Sequence, residues 1–225
     1  MQSSRIPHPP SLPRRVAYAL VALVLGFAAL TLAREARADD PATTFVRAQH
    51  DQLRALLRQP ASPARDTQLT AALGQMVDYD EMARRAFGQP CPAELPSCKN
   101  HWGELSDAQK AEVSGLLRRL VEKNYRKNLA KTLDYDVSYQ GASPASGDSA
   151  VHTEATSKSK PRDPAVLVDY VVHGSPGALH VVDVVTEGSS LTKSYYDQFH
   201  RMLTNPDQGY AYVVKKLNDK LAQAD

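Results

Sequence analysis

Between Leu129 and Tyr135 the hydrophobic period of the chain changes from four to two. Before the change, Val113, Leu117, Val121, Tyr125 and Leu129 recur every four residues, and Leu116 and Leu120 widen the stripe. That is one face of a long amphipathic helix. Its start is marked by Ser106-Asp107-Ala108-Gln109, a capping box in which Ser and Gln satisfy each other's backbone amides, and it reads to about Lys131. After the change, Tyr135, Val137 and Tyr139 alternate with polar residues, as do Val151, Thr153 and Ala155. Val166 to His173 and Leu179 to Thr186 complete the run, with SPASGDS, SKPRDP and GSPG as turns. Four consecutive strands with short connections predict an antiparallel meander.

Helical patterns flank the strands. Phe45 to Arg58 carries Val46, Leu53 and Leu57 on one side, and Pro60 and Pro63 end it. Asp66 to Val77 carries Leu69, Leu73 and Met76, and a short helix from Asp80 to Phe87 stops at Gly88. Behind the strands, Leu191, Tyr195, Phe199 and Met202 are spaced four, four and three apart, and a last helix runs from Tyr210 to Leu221. Gly188 reads as a tight strand-to-helix corner, with Ser189 or Ser190 as the cap. Helices, strands, then helices predict an α+β fold: a four-stranded antiparallel curved sheet packed against a cluster of helices. Curving such a sheet around helices can leave an apolar cavity at their boundary.

The first 38 residues read differently. Arg14 and Arg15 precede an apolar run from Val16 to Ala33, and Ala36-Arg37-Ala38 follows as an A-x-A site. That order is an export signal, with cleavage expected after Ala38. An uncleaved inner-membrane anchor is the alternative reading of so long a run. No Cys follows the run, which argues against lipoprotein processing. Cleavage leaves 187 residues (39–225) for one α+β domain. It also removes five of the 27 Lys/Arg and one of the 25 Asp/Glu, for a formal charge of −2. Nothing in that balance calls for nucleic acid.

Cys91 and Cys98 lie in QPCPAELPSCKN. In an exported chain a local disulfide is the default reading. A metal site with His101 as third ligand is the competing one, although no fourth ligand is evident.

Four ordered segments then resemble a known family. Val77-Asp78-Tyr79-Asp80-Glu81-Met82-Ala83-Arg84-Arg85-Ala86-Phe87-Gly88 is similar to "FDxxxMxRxxLG". His101-Trp102 with Leu105-Ser106-Asp107-Ala108-Gln109-Lys110 is similar to "W...LTPAQR". Leu116-Leu117 through Tyr125 and Leu129 resembles "LLxxtYxxxL". Val182 to Leu191 with Tyr195 and Gln198-Phe199 resembles "YDVxxEGVSLVxNYRxQF". Together they resemble the MlaC-like periplasmic phospholipid-binding proteins, the toluene-tolerance auxiliary family. Three features depart from it. Leu179-His180 replaces a Trp-Lys pair, Tyr196 replaces an Arg, and the Pro/Cys loop looks inserted.

The resemblance implies a soluble, monomeric periplasmic carrier with no catalytic residue and no cofactor. It would hold phospholipid acyl chains in the cavity and shuttle lipid between an outer-membrane lipoprotein complex and an inner-membrane MCE-domain protein with its ABC transporter. A hopanoid or other lipid, or a non-catalytic scaffold role, is the alternative. The physical need is plain. A two-chain lipid has on the order of 30 CH₂ groups at about 0.8 kcal/mol each, so bare transfer through water costs roughly 24 kcal/mol. With the resemblance, the expected cavity wall comprises Met82, Phe87, Leu117, Leu120, Tyr125, Leu129, Val168, Tyr170, Val184, Leu191, Tyr195, Phe199 and Met202. Core packing is the competing reading for each.

Catalysis has little support in the sequence. Asp183 and His180 are three apart on a strand and so face opposite sides, and no nucleophile motif, metal-ligand pair or phosphate loop appears. Arg118, Arg119, Lys123, Arg126, Lys127 and Lys131 form the polar face of the long helix. They read as a solvated face first, and as a docking surface for a partner or anionic head groups second.

Overall fold

The computed structural model describes residues 40–91, 95 and 97–223, all within one compact unit, Asp39–Asp225. The export signal and its cleavage site lie outside the described residues. Among those residues no helix is long and apolar enough to cross a membrane.

Three helices open the fold: α1 (Pro41–Leu57), α2 (Pro63–Met76) and α3 (Tyr79–Ala86). Each starts on a side chain that accepts from the first turn: Asp40, Ser62 and Asp78. Pro41 and Pro63 sit where a helix needs no amide hydrogen bond. Helix α4 (Asp107–Leu129) begins with the expected capping box: Ser106 N donates to Gln109 Oε1 at 2.9 Å, and Gln109 N to Ser106 Oγ at 3.3 Å. Gly88 ends α3 at φ +82°, and a Cβ there would lie 2.5 Å from Lys99 O and 2.8 Å from the Tyr196 ring. Only glycine fits. The loop beyond it is closed by a Cys91–Cys98 disulfide, with Cα atoms 5.7 Å apart.

The sheet is open, antiparallel and ordered as the chain runs: β1 (Tyr135–Ala145), β2 (Asp148–Ser157), β3 (Val166–His173), β4 (His180–Thr186) and β5 (Ser189–Ser190). It has five strands where the sequence suggests four. Glu187 and Gly188 both take positive φ, +49° and +76°, the geometry of a tight two-residue hairpin turn. That turn lays Ser189–Ser190 back against Val185 and Thr186. The same device shortens the SPASGDS turn to Ser146–Gly147, at φ +50° and +90°. Pro144 is then tolerated in β1 because β1 is an edge strand.

Helices α5 (Leu191–Thr204) and α6 (Gly209–Ala222) complete the fold. Two cores result. Phe87, Leu116, Leu117, Leu120, Phe199, Val213 and Leu217 join α3, α4, α5 and α6. Val46, Leu53, Leu69, Leu73 and Met76 of α1 and α2 pack on Val151, Val172 and Val181 of the sheet. Helix α4 serves both, because its first half lies in the helical core while Tyr125 packs against the sheet core.

Candidate functional site: an apolar seam between two cores

The space between the two cores is not filled. Register sets the inner face of the sheet: Val137 opposes Ala155, Thr153 opposes Val168, and Tyr170 opposes Val184. All six line a cavity. The first cavity, about 270 Å³, lies between this face, α1 and the end of α4; Leu53, Leu57, His50, Arg54 and Tyr125 close it. The second, about 460 Å³, lies between α4 and the β4–α5 corner, walled by Val121, Tyr125, Val184, Leu191 and Tyr195. Its mouth is polar but uncharged: Asn124, Asn128, Ser189 and Ser194 are exposed there. A small void bounded by Met82, Leu117, Val121, Leu191 and Tyr195 extends it into the helical core. Tyr125 belongs to both larger cavities and stands between them.

The polar groups of this seam are few, and Arg54 is the one cation among the described lining residues. His50 Nδ1 lies 2.8 Å from the Tyr139 hydroxyl, and its ring meets Tyr170 edge-on at 4.8 Å. Burial, with Arg54 adding to it, pushes His50 down to about 4, so the ring is uncharged at neutral pH. Arg54 Nη2 donates to Tyr135 O at 2.6 Å. Burial raises Tyr125 to about 12 and Tyr170 further, so both phenols keep their protons. Among the described residues no carboxylate lines either cavity. Among the described residues no group of three or more His, Cys, Asp or Glu is placed to hold a metal ion. The arrangement suits the enclosure of apolar chains, not a charge.

The structure divides the expected wall. Tyr125, Val168 and Tyr170 line the first cavity, and Tyr125, Val184, Leu191 and Tyr195 the second. Met82 and Leu117 reach only the small void. Phe87, Leu120 and Phe199 are packed in the helical core and Met202 lies against it; none borders the seam. The Leu129 side chain lies outside the described set. Residues that the sequence reading did not assign to the wall include Leu53, Leu57 and His50 of α1. Leu53 and Leu57 already stood out as a helical stripe, but nothing in periodicity says that their stripe faces a gap. Val121 had a stronger signal, one helical turn from both Leu117 and Tyr125.

The basic face of α4 is largely engaged. Glu122, buried, takes Arg118 Nε at 2.9 Å and faces Arg126 at 3.8 Å. Lys123 Nζ reaches the carbonyls of Leu221 and Gln223 at the end of α6. These contacts favour the bland reading of that face over docking.

Two polar features lie on the outer face of the sheet. A groove of about 590 Å³ runs beside the disulfide loop, but its acids are occupied: Asp148 holds Arg85 and His173, and Asp183 holds Ser190 and two backbone amides. Ser143 Oγ, His152 and Asp169 form a hydrogen-bonded row across β1, β2 and β3, at 2.8 and 2.9 Å. The order imitates a hydrolase relay, yet these residues line none of the cavities above. Pro144 follows Ser143, removing the amide that commonly stabilises an oxyanion at that position.

A model of the MlaC protein family matches residues 47–219, most of the chain. The chain belongs to the MlaC family. A solved structure of a phospholipid-binding protein from Ralstonia solanacearum, in complex with a phospholipid, has the same fold: TM-score 0.64, 20% sequence identity, covering 81% of this chain and 97% of that one. No curated protein matches by sequence. The matched span runs from α1 to α6 and so contains every element that bounds the seam in this MlaC-family chain.

Proposed function

We propose that this chain is a lipid carrier that sequesters acyl chains in the seam between its two cores. The observation that carries the reading is the seam itself: two apolar cavities meeting at Tyr125, with an uncharged polar mouth and no carboxylate in either wall. Membership of the MlaC family supports it, as does a fold shared with a protein described as phospholipid-binding. A carrier needs apolar enclosure and no reactive group, since covering the tails removes most of the cost of crossing water. The export signal read in the sequence makes the periplasm the working compartment. Exchange there with an outer-membrane lipoprotein complex and an inner-membrane MCE-domain protein with its ABC transporter follows from the family resemblance.

Native mass spectrometry of the exported protein, with extraction of anything bound, tests the reading. Stoichiometric phospholipid is the expected result. Val168→Arg, which puts a cation into the first cavity, is expected to reduce bound lipid at least tenfold while the fold persists by circular dichroism. A ligand-free mass that survives incubation with phospholipid vesicles would overturn the proposal.

A further inference from the structure

Resting on the carrier reading, a finer feature of the seam identifies what part of a lipid it recognises. The seam contains phenols whose hydroxyls the protein does not use. Of those at the inner face of the sheet, Tyr135 stands at the start of the edge strand and Tyr139 is paired with His50. Tyr125 and Tyr170 make no hydrogen bond to any described residue. Both line the first cavity. Tyr195, across the second cavity, feels burial alone and stands apart.

Buried hydroxyls are normally satisfied, and one left without a partner is disfavoured. Neither cavity wall offers a carboxylate to accept from them. Both side chains face the first cavity, where an acceptor on whatever fills it pairs with them.

The order of polarity along the seam says which acceptor. The mouth of the second cavity is polar, at Asn124, Asn128, Ser189 and Ser194. Tyr125 comes next, at the junction, and Tyr170 lies on the first-cavity side of it. The first cavity adds Leu53, Leu57, Val137, Val166 and Val168 as apolar wall, with His50 and Arg54 on its α1 side. A diacyl lipid has the same order: head group, ester linkages, hydrocarbon. We infer that Tyr125 and Tyr170 donate hydrogen bonds to acyl-ester carbonyl oxygens of the bound lipid, and that they thereby select ester-linked over ether-linked chains. An ether lipid of equal chain length fits the same space but offers no carbonyl, so it leaves both donors unpaired.

The test is competition between a diacyl phosphatidylcholine and its dialkyl ether analogue, with matched chains, read by native mass spectrometry after incubation with mixed vesicles. Wild type is expected to prefer the diacyl form by about tenfold, the worth of one to two neutral hydrogen bonds. In the Tyr125→Phe/Tyr170→Phe double variant the preference is expected to fall to near one. Removing unpaired hydroxyls leaves the packing intact, so the melting temperature should hold, and the wild-type ratio requires no variant at all. Equal uptake of both lipids by wild type, or a preference that survives in the double variant, overturns the inference and leaves the carrier reading standing. Uptake of neither lipid overturns both.

Discussion

His50 illustrates how a cavity imposes itself on a single side chain. Its ring borders the first cavity and bonds to Tyr139, and burial holds it neutral down to about pH 4. The unfolded chain takes up that proton near 6.5. Between those values the unfolded state binds more protons, so stability is complete above 6.5 and falls as the pH drops toward 4. The full effect is at most about 3 kcal/mol. His101, also buried and also lowered, acts in the same direction. Urea unfolding at pH 7.5 and 4.5 is therefore expected to show wild type losing stability across this window. His50→Gln should lose roughly 2 kcal/mol less than wild type does. Equal losses in the two proteins would show that His50 is not held neutral. Nothing in the sequence near His50 announced this role, because the residues that bury it come from β1 and β3, far along the chain.

At the scale of elements, the β4–α5 corner is the most legible part of the fold. The sequence change at Gly188 predicts a strand-to-helix corner with a serine cap, and Ser190 caps α5, accepting from Lys193 N at 3.0 Å. What stood hidden was Asp183. A register shift in the β3–β4 pairing between Val171 and Val172 leaves Val182 without a partner across the ladder. The carboxylate of Asp183 accepts from Val184 N, Thr192 N and Ser190 Oγ at 2.8, 3.0 and 2.6 Å. It thus pins the start of α5 to the strand that walls the second cavity. Asp183→Ala strands three donors at a helix N-terminus and is expected to cost about 2–4 kcal/mol in urea unfolding. A loss under about 1 kcal/mol would mean that water replaces the carboxylate without penalty.

At the scale of the whole molecule, the unusual fact is that one domain carries two cores and leaves their seam open. The cavities, 270 and 460 Å³, are each well below the upper end of the usual range for ligand pockets, about 1,000 Å³, and Tyr125 separates them. On the carrier proposal, loading a two-chain lipid requires movement at the seam, which the second half of α1 borders through Leu53 and Leu57. Lipid loading is expected to slow amide exchange in residues 53–57 and around Tyr125 by at least tenfold. The helical core around Phe87 and Phe199 should change little. Uniform slowing across the domain would indicate general stabilisation by mass action, not closure of a seam.

Helix α5 shows where the sequence stops being informative. Its stripe, Leu191, Tyr195, Phe199 and Met202, was evident from spacing alone, and so were the α+β order, the meander and the capping box of α4. These follow from local rules: periodicity, turn chemistry and end caps act within a few residues of each other. Yet Leu191 and Tyr195 border a cavity while Phe199 is buried in the helical core and Met202 packs against it. Periodicity names the face that leaves water; it does not say whether the opposing surface arrives. That depends on where α1, α4 and the sheet stop relative to one another, and only tertiary packing decides it. The same reason explains why Leu53, Leu57 and His50 joined the site unannounced, and why the fifth strand became visible only once two residues were seen at positive φ.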